Sequence, residues 1–265
     1  MSKTLILKKS KKFLSLDKSL EKIKICEEVQ AVFVIDPTKI HLTEIKIAKN
    51  SSLHLLYFCN RIFEKNWNVN TKIFLKDNAQ SNITQIYFGT KNTSINFEVF
   101  LNGKNSVSNI YAVYFADKSQ NCDFQIANNF IGQGNEGEVL IKGIVCDQAK
   151  VKVDGQIKIS KKAHETKAML IENSLMLNET AEITHLPVLR INTNDVRASH
   201  AASITRLNEE DLFYLKSRGL KENLSKQLLI DAFLSTTFTK DKTFERYFCK
   251  INKKVLEKFE NNSII

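Results

Sequence analysis

Two prolines and eight glycines in 265 residues leave little material for a glycine-rich phosphate cradle or for strict hexapeptide-type solenoid repeats. Cysteine is equally uninformative as a staple. Cys26, Cys59, Cys122, Cys146 and Cys249 lie far apart, form no C-x-x-C pair and are odd in number. They exclude a disulfide framework and fit a reducing cytoplasm. No apolar run approaches the ~20 residues needed to cross a bilayer. The longest stretches are Ala31 to Ile35 and Leu53 to Cys59, and Leu5-Ile6-Leu7 is too short for a signal-peptide core. The expectation is a soluble cytoplasmic protein without a membrane partner. There is also no G-x-S-x-G elbow, no H-E-x-x-H and no P-loop. Gly132, Gly134 and Gly137 imitate a dinucleotide fingerprint only loosely, because strand patterns flank them on both sides and predict a turn.

The chain does have positive charge, with 39 Lys+Arg against 29 Asp+Glu, a net +10. Much of it sits in the first 24 residues, where the only acids are Asp17 and Glu21. No recognised motif accompanies it, so specific nucleic-acid binding is not expected.

From about residue 53 to 191 the sequence repeats short alternating apolar and polar runs broken by Asn, Asp, Lys or Gly, the pattern of many short strands. Ile95, Phe97, Val99 and Leu101 share one strand face before a turn at Asn102-Gly103. Ile110, Ala112 and Tyr114 alternate with Tyr111, Val113 and Phe115, predicting a strand buried on both sides. Val151, Val153, Ile157 and Ile159 form another apolar face. No helical pattern long enough for a βαβ crossover intervenes, which leaves a sandwich, a barrel or a solenoid.

After Leu207 the texture changes. Asn208 followed by Glu209-Glu210-Asp211 predicts a helix start, and Gly219 its end. A second helix is expected from Lys221, carrying Leu224, Leu228, Leu229, Ala232 and Phe233, and a third over Lys242 to Glu260. The sequence thus divides into a mixed helix and strand segment over 1–50, with a helix expected within Phe13 to Val32, a β region over 51–206 and a helical module over 207–265.

The histidines His41, His54, His164, His185 and His200 form no local ligand pair, although residues distant in sequence can stack across the turns of a solenoid. His200 belongs to a more specific segment. Asp195-Val196-Arg197-Ala198-Ser199-His200-Ala201-Ala202 leads into LNEEDLFYLKSRGL at 207–220. This resembles the C-terminal signature of the SufB/SufD family, in which an Asp-Val pair, a Ser-His pair and an L-F-Y-L-x-S-R-G run follow in that order. Gly155, Thr166, Ala168, Leu175 and Pro187 also fall where the family pattern places them. Specific resemblance covers about residues 150–235.

The resemblance implies a right-handed parallel β-helix followed by a small helical domain, and a short form closer to SufD than to SufB. The position of SufB's essential cysteine falls at Glu172, and Ala201 stands where SufB follows its histidine with a glutamate. Asn194, Ala198 and Ala201 also depart from residues common in SufD relatives. The implied role is a non-catalytic scaffold of an iron–sulfur cluster assembly complex, acting with a SufC-like ABC ATPase and with a SufB-like paralogue or a second copy of itself. No tightly bound cofactor is expected. Iron or a nascent cluster would be held transiently at a subunit interface, with His200 the candidate ligand. Leu224, Leu228, Leu229, Arg218, Lys221 and Lys226 are the candidate ATPase contacts. Two other readings remain open: a carbohydrate-acting enzyme using Glu136, Glu138, Asp147 or Asp154, and an anionic-polymer binder using the Lys-rich N-terminus with Trp67 or Tyr87 as stacking groups.

Overall fold

The computed structural model of the protein describes residues 3–14, 20–36, 40–59, 66–88 and 91–238. The third helix expected over 242–260 and Cys249 lie outside them. The first strands in chain order are β1 (Lys3–Leu7), β2 (Lys11–Leu14), β3 (Leu20–Ile25), β4 (Gln30–Ile35), β5 (Glu44–Ile47) and β6 (Ser52–Cys59). They are followed by β7 (Trp67–Leu75), β8 (Gln80–Phe88), β9 (Asn92–Leu101), β10 (Val107–Ala116), β11 (Asn121–Phe130) and β12 (Glu136–Val145). The last are β13 (Lys150–Ile159), β14 (Thr166–Met176), β15 (Glu182–His185), β16 (Val188–Ile191) and β17 (Val196–Arg206), before helices α1 (Glu209–Ser217) and α2 (Glu222–Phe238).

Strands alternate between two sheets. One runs β1-β3-β5-β7-β9-β11-β13-β15, with β16 also on β13, and the other runs β17-β14-β12-β10-β8-β6-β4-β2. Every pairing is parallel, and the long strands stack in register: Val107 lies beside Gln80 on one side and Glu136 on the other. The chain therefore coils as a parallel β-solenoid, which closes the choice that periodicity left among sandwich, barrel and solenoid. The helix expected within Phe13 to Val32 does not form among the described residues. Leu20, Ile23 and Ile25 bury themselves on β3, and Gln30–Ile35 is strand β4. Pairing with the neighbouring turns outweighs the local pattern, because tertiary context overrides weak propensity.

The interior is filled by alternate side chains. Ile95, Phe97, Val99 and Leu101 are at most 1 % exposed, as are Val153, Ile157 and Ile159, with Val151 nearly so. Burying each such residue contributes about 1.5–3 kcal/mol. One corner of the coil is built from left-handed residues in a row. Asn50, Asn78, Asn105, Gly134 and Glu165 all have positive φ, and each donates its backbone N–H to a carbonyl of the next turn, as Asn105 does to Gln133 and Gly134 to His164. Asn adopts this conformation more readily than most residues, which is how a chain so poor in glycine turns its corners. Gly134 lies in this corner and Gly132 just before it, as the turn reading of that segment requires, whereas Gly137 is already in strand β12, paired with Ser108.

α1 follows the predicted caps. The Asn208 side chain accepts from the Glu210 N–H, and Gly219 takes φ 88° past the helix end. α2 covers the outer face of the second sheet. Ile230 and Leu234 are buried in a separate apolar layer with Val113, Phe115, Ile144 and Leu175, which explains why β10 is apolar on both faces.

Candidate functional site at the end of the solenoid

β17 is the terminal strand of its sheet among the described residues, and it places His200. In-register pairing sets His200 beside Leu170, Ala202 beside Glu172 and Ile204 beside Ser174. Leu170, Glu172 and Ser174 all point into the core, each no more than 1 % exposed. His200, Ala202 and Ile204 thus stand on the interior face of the coil, yet they are exposed because no further strand among the described residues covers that end. On the opposite sheet, Leu186 and Ile191 are exposed at the same end. The result is an open end face with a histidine in an apolar and small-residue row.

Beneath this face lies a polar cluster in the core. Glu172 is fully buried, and its Oε1 accepts the Gly155 N–H at 2.6 Å. A Cβ on Gly155 would fall 2.2 Å from that oxygen, so glycine is what lets the carboxylate approach the strand. The His185 ring is 5 % exposed, with Nδ1 3.9 Å from Glu172 Oε2 and Nε2 2.7 Å from Ser174 Oγ. Ser174 Oγ in turn lies 2.5 Å from the Tyr114 hydroxyl. Burial pushes the Glu172 carboxyl up to about 7, the Gly155 N–H opposing and the Asp154 charge adding to the rise. Burial moves His185 the other way, below its ordinary value. The order Ser174, His185, Glu172 has the outline of a nucleophile, a base and an orienting acid. With Ser174 1 % exposed and pinned by Tyr114, however, no substrate reaches the hydroxyl.

Local spacing hid this cluster: Glu172 and His185 come from different sheets. The available signal was the interior face of β14, which runs Ala168, Leu170, Glu172, Ser174 and so turns polar halfway along.

The candidate ATPase contacts differ in exposure within the helical module. Leu224 and Leu228 are exposed, while Leu229 is half-buried. Phe213 and Tyr214 on α1 are also exposed, at 74 % and 57 %. Lys221 is exposed, Arg218 lies over the Tyr214 ring at 5.2 Å, and Lys226 is engaged with Glu222 at 2.8 Å. The stacking groups of the polymer-binding reading are not available. Trp67 and Tyr87 are 8 % and 4 % exposed and pack on each other at 5.8 Å, because their inward strand positions place both rings in the core. Nor do the acids suggested for carbohydrate chemistry converge. Glu136 and Glu138 line an open groove of about 630 Å³ with Lys167 and Arg197, but Glu136 is paired to Lys167. Asp147 sits at a left-handed corner and Asp154 on the other sheet. Among the described residues no three His, Cys, Asp or Glu side chains gather as a metal site, and no helix is long and apolar enough to cross a membrane.

Comparison with known proteins bears on the family of the chain. The chain is 35% identical over 94 residues to the iron-sulfur cluster assembly protein SufD of Escherichia coli, covering 36% of this chain and 22% of the relative. It is 36% identical over 104 residues to SufD of Bacillus subtilis, covering 39% and 24%. A SufBD family protein of Synechocystis is 37% identical over 94 residues, covering 36% and 21%. The matched stretch thus spans about a quarter or less of these relatives. The family model for the SUF system FeS cluster assembly SufBD core domain matches residues 18–233, most of the chain and all of the strands from β3 onward. The chain belongs to the SufBD core family of the SUF iron–sulfur cluster assembly system and is SufD-like within it.

Proposed function

We propose that the protein is a non-catalytic scaffold or accessory subunit of a SUF-type assembly complex in the cytoplasm. It works with a SufC-like ABC ATPase and with a SufB-like paralogue or a second copy of itself. The observation that carries this reading is the end strand β17, whose outer edge is unpaired among the described residues and which presents His200 on an interior-type face that no described strand covers. Such an edge offers a row of backbone donors and acceptors to an incoming strand. A subunit seated there would bury His200 at the junction, where a neutral imidazole serves as a ligand to iron or to a nascent cluster passing through. The helical module supplies the second contact. Leu224, Leu228 and the half-buried Leu229, with Arg218, Lys221 and Lys226 around them, form the docking side for the ATPase. Lys226 contributes only if it leaves Glu222.

The test is reconstitution. The chain is co-purified with its neighbours, partners are identified by mass spectrometry, and cluster formation on the complex is followed by visible absorption. His200→Ala should leave the complex intact and lower the yield of cluster. Wild-type yield and kinetics in that variant would make His200 a surface residue of the end strand. Failure to recover an ABC-type ATPase would overturn the partnership.

A further inference from the structure

Glu172 presents an unusual electrostatic problem. It is fully buried, one oxygen holds a backbone N–H, and the other, Oε2, has no hydrogen-bond partner among the described residues. The atom facing it, His185 Nδ1, is buried and unpartnered as well. The groups around the pair bring no compensating cation. β13 contributes Asp154, an anion, and Gly155. β10 contributes the Tyr114 hydroxyl, with the Cys122 thiol of β11 acting on it, and β14 itself contributes Ser174. Among the described residues, His185 is the one basic group within ion-pair distance of Glu172. A bare carboxylate in that setting is costly, and a carboxylic acid is not. If His185 Nε2–H donates to Ser174, then Nδ1 offers a lone pair to Glu172, and two acceptors facing each other need a proton between them. The 3.9 Å separation exceeds a made hydrogen bond by about 1 Å. Small rotations about the broad terminal torsions of Glu and His close it. A metal ion would need more ligands than these two.

We propose that Glu172 and His185 hold one proton between them inside the solenoid, and that this proton fastens β15 to β14, fixing the floor beneath the end strand that carries His200. The inference does not depend on the role of His200. It makes the last turn of the coil sensitive to pH. Folding raises the Glu172 value from its ordinary 4.5 to about 7, so the folded chain binds the extra proton and the stability it gives is lost as pH rises from 4.5 to 7. His185, lowered by burial, opposes this from the acid side, losing stability as pH falls through its ordinary value. The fastener is therefore closed in mildly acidic solution and loosens as pH rises to about 7.

Two measurements on the whole chain test the proposal. The first is infrared spectroscopy of the wild-type protein. A protonated-carboxyl stretch is expected at about pH 6 that fades through about pH 7 and is missing in Glu172→Gln. The second is hydrogen exchange of the peptide spanning β15, corrected for intrinsic rates. Its protection should fall by up to about tenfold per pH unit across the upper part of the window in wild type and show no such fall in Glu172→Gln, whose amide keeps a donor toward His185. If the Gln variant fails to fold, the wild-type titration decides. No protonated-carboxyl band at about pH 6 overturns the proposal. So does a β15 peptide whose protection falls equally in the wild type and in the Gln variant.

Discussion

Lys142, on the outer face of β12, donates its ammonium to the carbonyl of Phe233 at 2.6 Å and sits over the Phe233 ring at 4.7 Å. This joins α2 to the solenoid across 91 residues of sequence. Burial lowers the pKa of the lysine, so the bond is made by a partly desolvated charge, and such bonds contribute about 1.5–3 kcal/mol. Lys142→Met keeps the aliphatic stem and removes the bond. Amide exchange within α2 is expected to quicken by roughly tenfold to a hundredfold, while the urea midpoint of the solenoid changes little. Unchanged exchange in α2 would mean that Ile230 and Leu234 hold the helix unaided.

Gly143 gives the Tyr114 ring its place. A Cβ there would lie 1.8 Å from the ring, and Tyr114 is 2 % exposed and stacked on Phe124 at 4.8 Å. Gly143→Ala should therefore destabilise the fold by about 1–3 kcal/mol through overpacking, seen as a lower denaturant midpoint. Adding Tyr114→Leu should recover part of the loss, because the clash is with the ring. Additive losses in the double variant would point to the backbone instead.

Asn105 tests the corner row. Its φ of 54° and its N–H bond to Gln133 make glycine the natural replacement and a β-branched residue the poor one. Asn105→Gly is expected to be near neutral and Asn105→Val to cost about 1–3 kcal/mol, measured by thermal unfolding. Equal stability of the two would remove the left-handed corner as a constraint.

Much of this architecture was legible in the sequence for a physical reason. A strand with one buried face needs period two, and Ile95, Phe97, Val99 and Leu101 write it out. The caps of α1 were legible because Asn208 and Gly219 act locally. The N-terminal strands were harder. Phe13, Leu16, Leu20 and Ile23 are spaced by three and four residues in the sequence, a helical period, and only the stacking of β3 on β1 and β5 selects the strand. His200 could be singled out from its motif, but its exposure on an interior-type face depends on which strand ends the sheet. The polar break at Glu172 on the interior face of β14 was there to be read, but its pairing with His185 was out of reach, since a contact between sheets leaves no spacing to read.

The charges of the helical module separate a rim contact from an internal brace. Lys226 and Lys216 both reach Glu222, at 2.8 and 2.9 Å, and together hold its carboxyl down at about 2. Lys226→Glu therefore breaks a pair within α2 and sets two acids one turn apart, so any effect on a partner would be mixed with fraying of the helix. Lys221 is exposed just before α2 and has no such pair among the described residues. If a SufC-like ATPase docks on this side, Lys221→Glu should leave helicity unchanged and slow association, more at low salt than at high salt, as rim charges steer encounter and are screened within about a Debye length. Leu224→Ser, removing an apolar side chain 43 % exposed, should instead speed dissociation and show little dependence on salt. Association and dissociation rates measured at two salt concentrations separate the two effects. Wild-type rates in both variants, with α2 still folded, would place the docking surface elsewhere on the chain.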